Sequence, residues 1–311
     1  MTSGRSVVGL VRTEPDGREL KARIREAMDL IGFRPEGSVN AVVIKPNLCY
    51  YWNSATGYTT DPKVVEAIID YVREEFSEDV SIKVAEADAS AMRTKYAFPL
   101  LGYRKLAHKK KITLVNLSED QIVEKEAEAN GRRISFQVPK ILLESDLFIN
   151  VPKLKVMRAT HITCAMKNLF GSIAYPKKSS YHQFLNEAIV GINKILKPTV
   201  NVVDGLVALG RIPVRLGLLM ASEDAFGVDC VAAQVMGYQP RKVGFLNLAA
   251  REGLGDPRNI TVLGEKVEAF SKDFPRENNT FFQLKWNIQF SLLKAYKKLS
   301  GDVVPPVLED I

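Results

Sequence analysis

The chain has 311 residues, of which 46% are hydrophobic and 25% charged, with a net charge of +7 from 43 basic and 36 acidic side chains. This is ordinary globular composition with ample length to bury a core. The mild positive charge favours anionic partners, and its dispersal along the chain argues against a nucleic-acid-binding face.

Three widely spaced cysteines, Cys49, Cys164 and Cys230, form no CxxC pair. That argues against a disulfide framework and fits a reducing compartment. Met1 to Val7 holds no basic region followed by an apolar run, and no apolar run reaches the about 18 residues of a membrane span. A soluble, cytoplasmic protein without a transmembrane segment is expected.

In chain order, Ser6 to Val11 reads as a strand, and Gly17 to Ile31 as a helix with Leu20, Ile24, Ala27 and Leu30 at helical spacing. Asn40 to Ile44 is a β-branched, buried strand. Asp61 and Pro62 open a helix, as a cap and a first-turn proline. Val80 to Ala85 is a strand ending on Glu86 and Asp88, and Tyr96 to Lys105 is helical. Strands follow at Ile112 to Asn116, Arg132 to Val138 and Asp146 to Val151. Thr163 to Phe170 and Tyr181 to Leu196 are helices, the second stopped by Pro198. Thr199 to Val203 and Leu216 to Ala221 are strands, Asp224 to Met236 and Arg241 to Arg251 helices, and Ile260 to Leu263 a last strand.

About nine strands interleaved with helices, several of them continuously apolar, predict an α/β fold: a mostly parallel sheet flanked by helices. That domain is expected over residues 1–265, with a C-terminal helical extension over 266–311. Thr280 to Leu299 carries Phe281, Leu284 and Ile288 on one side and Phe282, Trp286 and Phe290 on another, so it must be buried. Packing on the domain, a homodimer contact or a membrane surface would each bury it.

In open parallel sheets, ligands bind at the carboxyl ends of the strands. Those ends carry Lys45, Asn47 and Cys49, then Glu86 and Asp88, then Lys153 and Lys155, then Asp204. The densest patch is Val151 to Gly171, with Lys153, Lys155, Arg158, His161, Thr163, Lys167 and Asn168. The start of the helix at Thr163 would add backbone amides that favour an anion. Thr59 and its neighbours form a long loop that could close over a ligand. Asp224 reads as a helix cap or, with Asp204 and Asp229, as part of a metal or acid–base set. Cys49, Cys164 and Cys230 each fall within one of these clusters. They could converge on an iron–sulfur cluster or lie buried separately. His182 is a candidate site neighbour, while His108 heads a solvated basic run. The usual nucleotide, zinc and hydrolase fingerprints are missing.

Lys45-Pro-Asn-Leu48, Thr59-Thr-Asp-Pro62, Val151-Pro-Lys-Leu-Lys155, Met166-Lys-Asn-Leu-Phe-Gly171, Val203-Asp-Gly205 and the Asp224 to Asp229 segment, in this order, resemble domain-of-unknown-function family 362. The resemblance covers roughly Val42 to Gly255. It implies a single α/β domain with these blocks around one site, and no established reaction. Many relatives carry an added ferredoxin-like segment with closely spaced cysteines, which this chain lacks. Relatives often have a His shortly after the second Lys of the Val-Pro-Lys block, where this chain has Val156 and Met157; its nearest histidine is His161.

The leading expectation is an enzyme for a small anionic ligand bearing a phosphate or carboxylate. Lys153, Lys155 and Lys167 would bind the anion, and His161 would serve as acid–base group. Lys45 and Asn47 would close the site, Asn168 would line it, and Asp204 would orient a lysine or a divalent metal. The rivals are a redox or cluster-carrying protein using the three cysteines and, last, a nucleic-acid-binding module.

Overall fold

The computed structural model describes residues 5–14, 16–35 and 37–275. Its first elements are β1 (Ser6–Arg12), α1 (Leu20–Leu30), β2 (Ala41–Pro46), α2 (Pro62–Glu75), β3 (Ser81–Glu86), α3 (Thr94–Leu100), α4 (Tyr103–Lys110) and β4 (Thr113–Asn116). β2 is buried along almost its whole length, as suits a strand covered on both faces. The Asp61 carboxylate accepts the Lys63 amide and Pro62 takes the first turn of α2, as the sequence predicts. The single helix expected over Tyr96 to Lys105 is instead two, broken where Gly102 adopts a left-handed backbone (φ 85).

β5 (Ile122–Ala129) and β6 (Arg132–Pro139) form a separate antiparallel pair. α5 (Ile141–Glu144), β7 (Leu147–Val151), β8 (Lys153–Met157), β9 (His161–Thr163), α6 (Ala165–Phe170) and α7 (Leu185–Ile195) follow. The described chain closes with β10 (Val200–Leu209), β11 (Pro213–Ser222), α8 (Ala225–Val235), α9 (Gly244–Arg251), β12 (Ile260–Gly264) and α10 (Glu268–Ser271).

Three strands go beyond the sequence expectation: β5, β8 and β9. β5 is rich in Glu and largely exposed, so no apolar alternation betrays it. Its local signal is Asn130-Gly131, both with positive φ, the pair that a two-residue hairpin turn favours.

The main sheet has ten strands, with the path β12-β1-β11-β10-β7-β2-β3-β4; β8 pairs with β10, and β9 with β8. The run β10-β7-β2-β3-β4 is parallel throughout. β11 alone runs antiparallel to both neighbours on this path. Alternate side chains feed two cores: Val42 and Ile44 join Ile24, Val65 and Ile68 of α1 and α2, while Val43 joins Ile189, Val231 and Phe245 of α7, α8 and α9. This is the expected helix-covered, largely parallel α/β sheet. The parallel run puts the carboxyl ends of β2, β3, β7 and β10 on one edge.

At the end of the described chain, Phe270 and Phe274 are buried, and the Arg12 guanidinium lies 4.4 Å above the Phe270 ring. The apolar helix expected over 280–299 lies outside the described residues. Among the described residues, no helix is long and apolar enough to cross a membrane.

Candidate functional site

Four buried charges mark the strand edge. Lys45, near the end of β2, is fully buried; its Nζ donates to Glu86 Oε1 of β3 at 2.7 Å, to the Pro46 carbonyl at 3.0 Å and to Asn168 Oδ1 at 3.4 Å. Glu86 also accepts the amides of Leu48 and Ala87. Lys153 opens β8 and meets Asp204 of β10 at 2.9 Å, with both side chains wholly buried. Asp204 accepts the Asp61 and Leu206 amides as well. Burial pushes its carboxyl up, and Lys153 opposes that shift.

Lys155 has no carboxylate partner among the described residues. Its Nζ donates to Asn47 Oδ1 at 2.6 Å and to the Tyr58 carbonyl at 2.7 Å, and lies 2.9 Å from Cys49 Sγ. This ammonium therefore fastens the loop after β2 at three points. The same loop is braced elsewhere. Thr59, buried, donates to the Trp52 carbonyl at 2.7 Å. The Thr60 hydroxyl accepts the Asn47 amide and donates to the Val151 carbonyl. Thr59, expected to touch a ligand, thus spends its hydroxyl on the loop. On the outer side Tyr50, Trp52 and Tyr58 pack together, the Trp52 and Tyr58 rings edge to face with centroids 4.4 Å apart.

Lys167 differs from its neighbours. It sits half-buried on α6, its nearest ring contact being Phe170 with Nζ 6.0 Å from the centroid, and no ion-pair partner is found for it among the described residues. Burial first, then the Lys155 charge, lowers its pKa to about 8, opposed by Cys49. Lys178 was missed as a site residue by sequence reasoning. It lies in the turn Lys178–Phe184 and is buried; its Nζ donates to the carbonyls of Asp88 and Gly171, each at 2.7 Å. Burial above all lowers its pKa to about 7; Glu86 and Asp88 oppose that shift, and Lys45 and Lys167 add to it. Only its position beside His182, which lies in the same turn, hinted at a role.

Asn168 ties these groups together. Its Oδ1 accepts from Asn47 Nδ2 at 3.0 Å, and its Nδ2 donates to Asn150 Oδ1 at 2.8 Å. Asn150 in turn donates to Asn201 Oδ1 at 2.8 Å, and Asn201 to the Ser222 carbonyl. The relay runs from the loop after β2 through α6 into β7 and β10, and has no periodic signature in the sequence.

Two expectations are corrected. The amides at the start of α6 do not await an external anion. Asp229 of α8 occupies them, accepting Ala165 N at 2.6 Å and Met166 N at 3.1 Å. Burial is the main influence on that carboxyl, raising its pKa to about 7. The three cysteines do not converge. Cys49 stands against Lys155, whereas Cys164 and Cys230 lie in the apolar core on the α8 side, where burial pushes both thiols up. Among the described residues, no three His, Cys, Asp or Glu side chains are grouped to hold a metal ion, so this donor set does not fit a three-thiolate cluster. Asp224 is a helix cap, accepting the Phe226 amide.

His161 lies at the outer end of the β8–β9 hairpin, opposite Met157. It is exposed, with φ 65 and its ring 5.6 Å from that of Tyr238. Among the described residues it shares no hydrogen bond with the site lysines.

Residues 42–234 match the family described as a domain of unknown function, DUF362. A thylakoid-associated protein of Synechocystis sp. is 27% identical over 267 residues, covering 80% of this chain and 79% of that protein. Among solved structures, the lactate racemase apoprotein from Thermoanaerobacterium thermosaccharolyticum is 12% identical with a TM-score of 0.41, over 75% of this chain and 58% of that one. A protein from Thermotoga maritima is 10% identical with a TM-score of 0.44, over 78% of this chain and 60% of that one. This chain spans less than two thirds of the length of either solved chain. The family match covers more than half of the chain and takes in β2 through most of α8, with Lys45, Glu86, Lys153, Lys155, Lys167, Lys178 and Asp204 all inside it; the chain belongs to the DUF362 family.

Proposed function

We propose that this protein is an enzyme that binds a small anion, phosphate or carboxylate, against Lys167. One observation carries the reading: Lys167 is a half-buried ammonium at the carboxyl edge of the sheet, flanked by Lys155, with no carboxylate partner among the described residues. An unneutralised cation in a poorly solvated place favours an incoming negative charge. Lys45 and Lys153, by contrast, are neutralised by Glu86 and Asp204 and form the frame. Asn47, Asn168 and Lys155 position the loop over the site. With its pKa near 8, Lys167 is also placed to exchange a proton near neutral pH, and takes the acid–base role first expected of His161.

Binding should therefore fall as pH rises through about 8, where the Lys167 ammonium loses its proton. Titration calorimetry with inorganic phosphate and with acetate tests this. Lys167→Met is expected to abolish binding of both, and Lys167→Arg to retain it without the fall above pH 8. Unchanged binding in Lys167→Met sinks the proposal. A cytoplasmic location is part of the same proposal and rests on the cysteine usage. The thylakoid-associated relative supplies the contrary outcome, and cell fractionation separates the two.

A further inference from the structure

Five lysines reach the strand edge, and two carboxylates pair with them: Glu86 with Lys45, and Asp204 with Lys153. Asp88 is nearby but is spent on the Thr94 amide and hydroxyl and on Arg93, 3.7 Å away. Lys155, Lys167 and Lys178 are left without a carboxylate partner among the described residues. They are not isolated from one another, since Lys155 acts electrostatically on Lys167, and Lys167 on Lys178; Cys49 offsets part of this at Lys167, and Glu86 and Asp88 part of it at Lys178. Crowding like charges in a poorly solvated place is costly unless a counter-charge arrives. A single negative charge would match one of these lysines and leave the others without a counter-charge of their own.

A second observation points the same way. Thr163 is buried and pairs directly across the β8–β9 ladder from Lys155, so the two side chains share one face of the hairpin. Its hydroxyl has no hydrogen-bond partner among the described residues. Ser172, one residue past the Gly171 carbonyl that holds Lys178, is also buried, and its hydroxyl has no partner among the described residues. Buried polar atoms are nearly always partnered, so these hydroxyls, one across the ladder from Lys155 and one next in sequence to the carbonyl that holds Lys178, fit donors to ligand oxygens.

Building on the anion-site reading above, we infer that the ligand is a dianion, a phosphate monoester or a dicarboxylate, gripped between Lys167 and Lys178. One end of the charge meets Lys167 and the other Lys178, with Thr163 and Ser172 donating to its oxygens.

The test compares acetate, malonate and inorganic phosphate by titration calorimetry on the full chain at pH 8. Malonate, phosphate or both should bind about tenfold or more tightly than acetate, a gap of about 1.4 kcal/mol. Whichever dianion binds tighter identifies the source, carboxylate or phosphoryl. Lys178→Met should close most of that gap while leaving acetate binding in place.

The wild type supplies an independent measurement if Lys178→Met fails to fold. Malonate is fully ionised at pH 8, so repeating its titration in buffers of different ionisation enthalpy reports protons taken up by the protein. About one proton is expected, because the pKa values of Lys167 and Lys178, near 8 and 7, leave them partly neutral before binding. Equal affinity for acetate and the dianions, a gap untouched by Lys178→Met, or no proton uptake would each overturn the dianion inference and leave the anion site standing. Failure of all three probes to bind would remove both.

Discussion

Lys45 and Glu86 lie 2.7 Å apart with the lysine side chain wholly buried, and Lys153 and Asp204 lie 2.9 Å apart with both side chains buried. Such pairs add little net stability, but removing one partner strands a charge in the core and costs about 3–5 kcal/mol. Lys45→Met should therefore lower the unfolding free energy in urea by about that amount. Adding Glu86→Gln should restore part of it, since the buried charge is gone, although the one amide oxygen can replace only one of the two carboxylate oxygens that accept from Leu48 and Ala87. A loss under about 1 kcal/mol in Lys45→Met would mean that the pair is not desolvated as described. At this scale the sequence was informative about identity and silent about pairing. Lys45, Glu86, Lys153 and Asp204 could be picked out as strand-end residues, because charges that follow apolar runs are visible. Which lysine meets which carboxylate depends on strand order, and strand order leaves no local trace.

Among the elements, α6 shows most clearly how tertiary contacts reassign a local signal. Its sequence predicts a helix start with open amides, and the helix is there, but Asp229 from α8 fills that end. Asp229→Ala leaves the Ala165 and Met166 amides bare in the core and should cost about 1–3 kcal/mol for each. The pH dependence follows from the raised pKa of about 7. Below the unfolded value near 4 the folded and unfolded chains both hold this proton, and between there and about 7 only the folded chain does. The favourable contribution is thus fully present at acid pH and is lost as pH rises through about 7. Urea midpoints of the wild type should carry that falling slope between about pH 4 and 7 and level off above it, and Asp229→Asn should flatten it. Identical slopes would show that this carboxyl does not titrate in the window. The β8–β9 hairpin was missed for a related reason. Lys153, Lys155 and Thr163 on one face, with Leu154, Val156 and Ile162 on the other, follow a strand period, but lysines with polar neighbours read as loop until their partners bury them.

Over the whole molecule, the asparagine relay from Asn47 through Asn168, Asn150 and Asn201 to the Ser222 carbonyl links the site to the antiparallel strand β11. Asn150→Leu cuts it in the middle and leaves Asn168 Nδ2 and Asn201 Oδ1 each short of a partner. Unfolding should become easier by about 1–3 kcal/mol per group left unsatisfied. Phosphate binding should weaken too, since Asn168 then holds Asn47 and Lys45 less firmly. Lost stability with unchanged binding would confine the relay to a structural role.

The sequence by itself determined the α/β class, the capped start of α2, the family and the strand ends where charge gathers. These rest on local spacing, capping chemistry and motif order, which a linear chain displays openly. Only the tertiary structure decided that Asp229 claims the start of α6, that Cys49 stands apart from Cys164 and Cys230, and that His161 faces outward. It also decided which of the strand-edge lysines keep a charge to offer. A lysine's role here depends on whether a carboxylate from another strand lies within about 4 Å of it in a desolvated place, and that is settled by sheet order and burial.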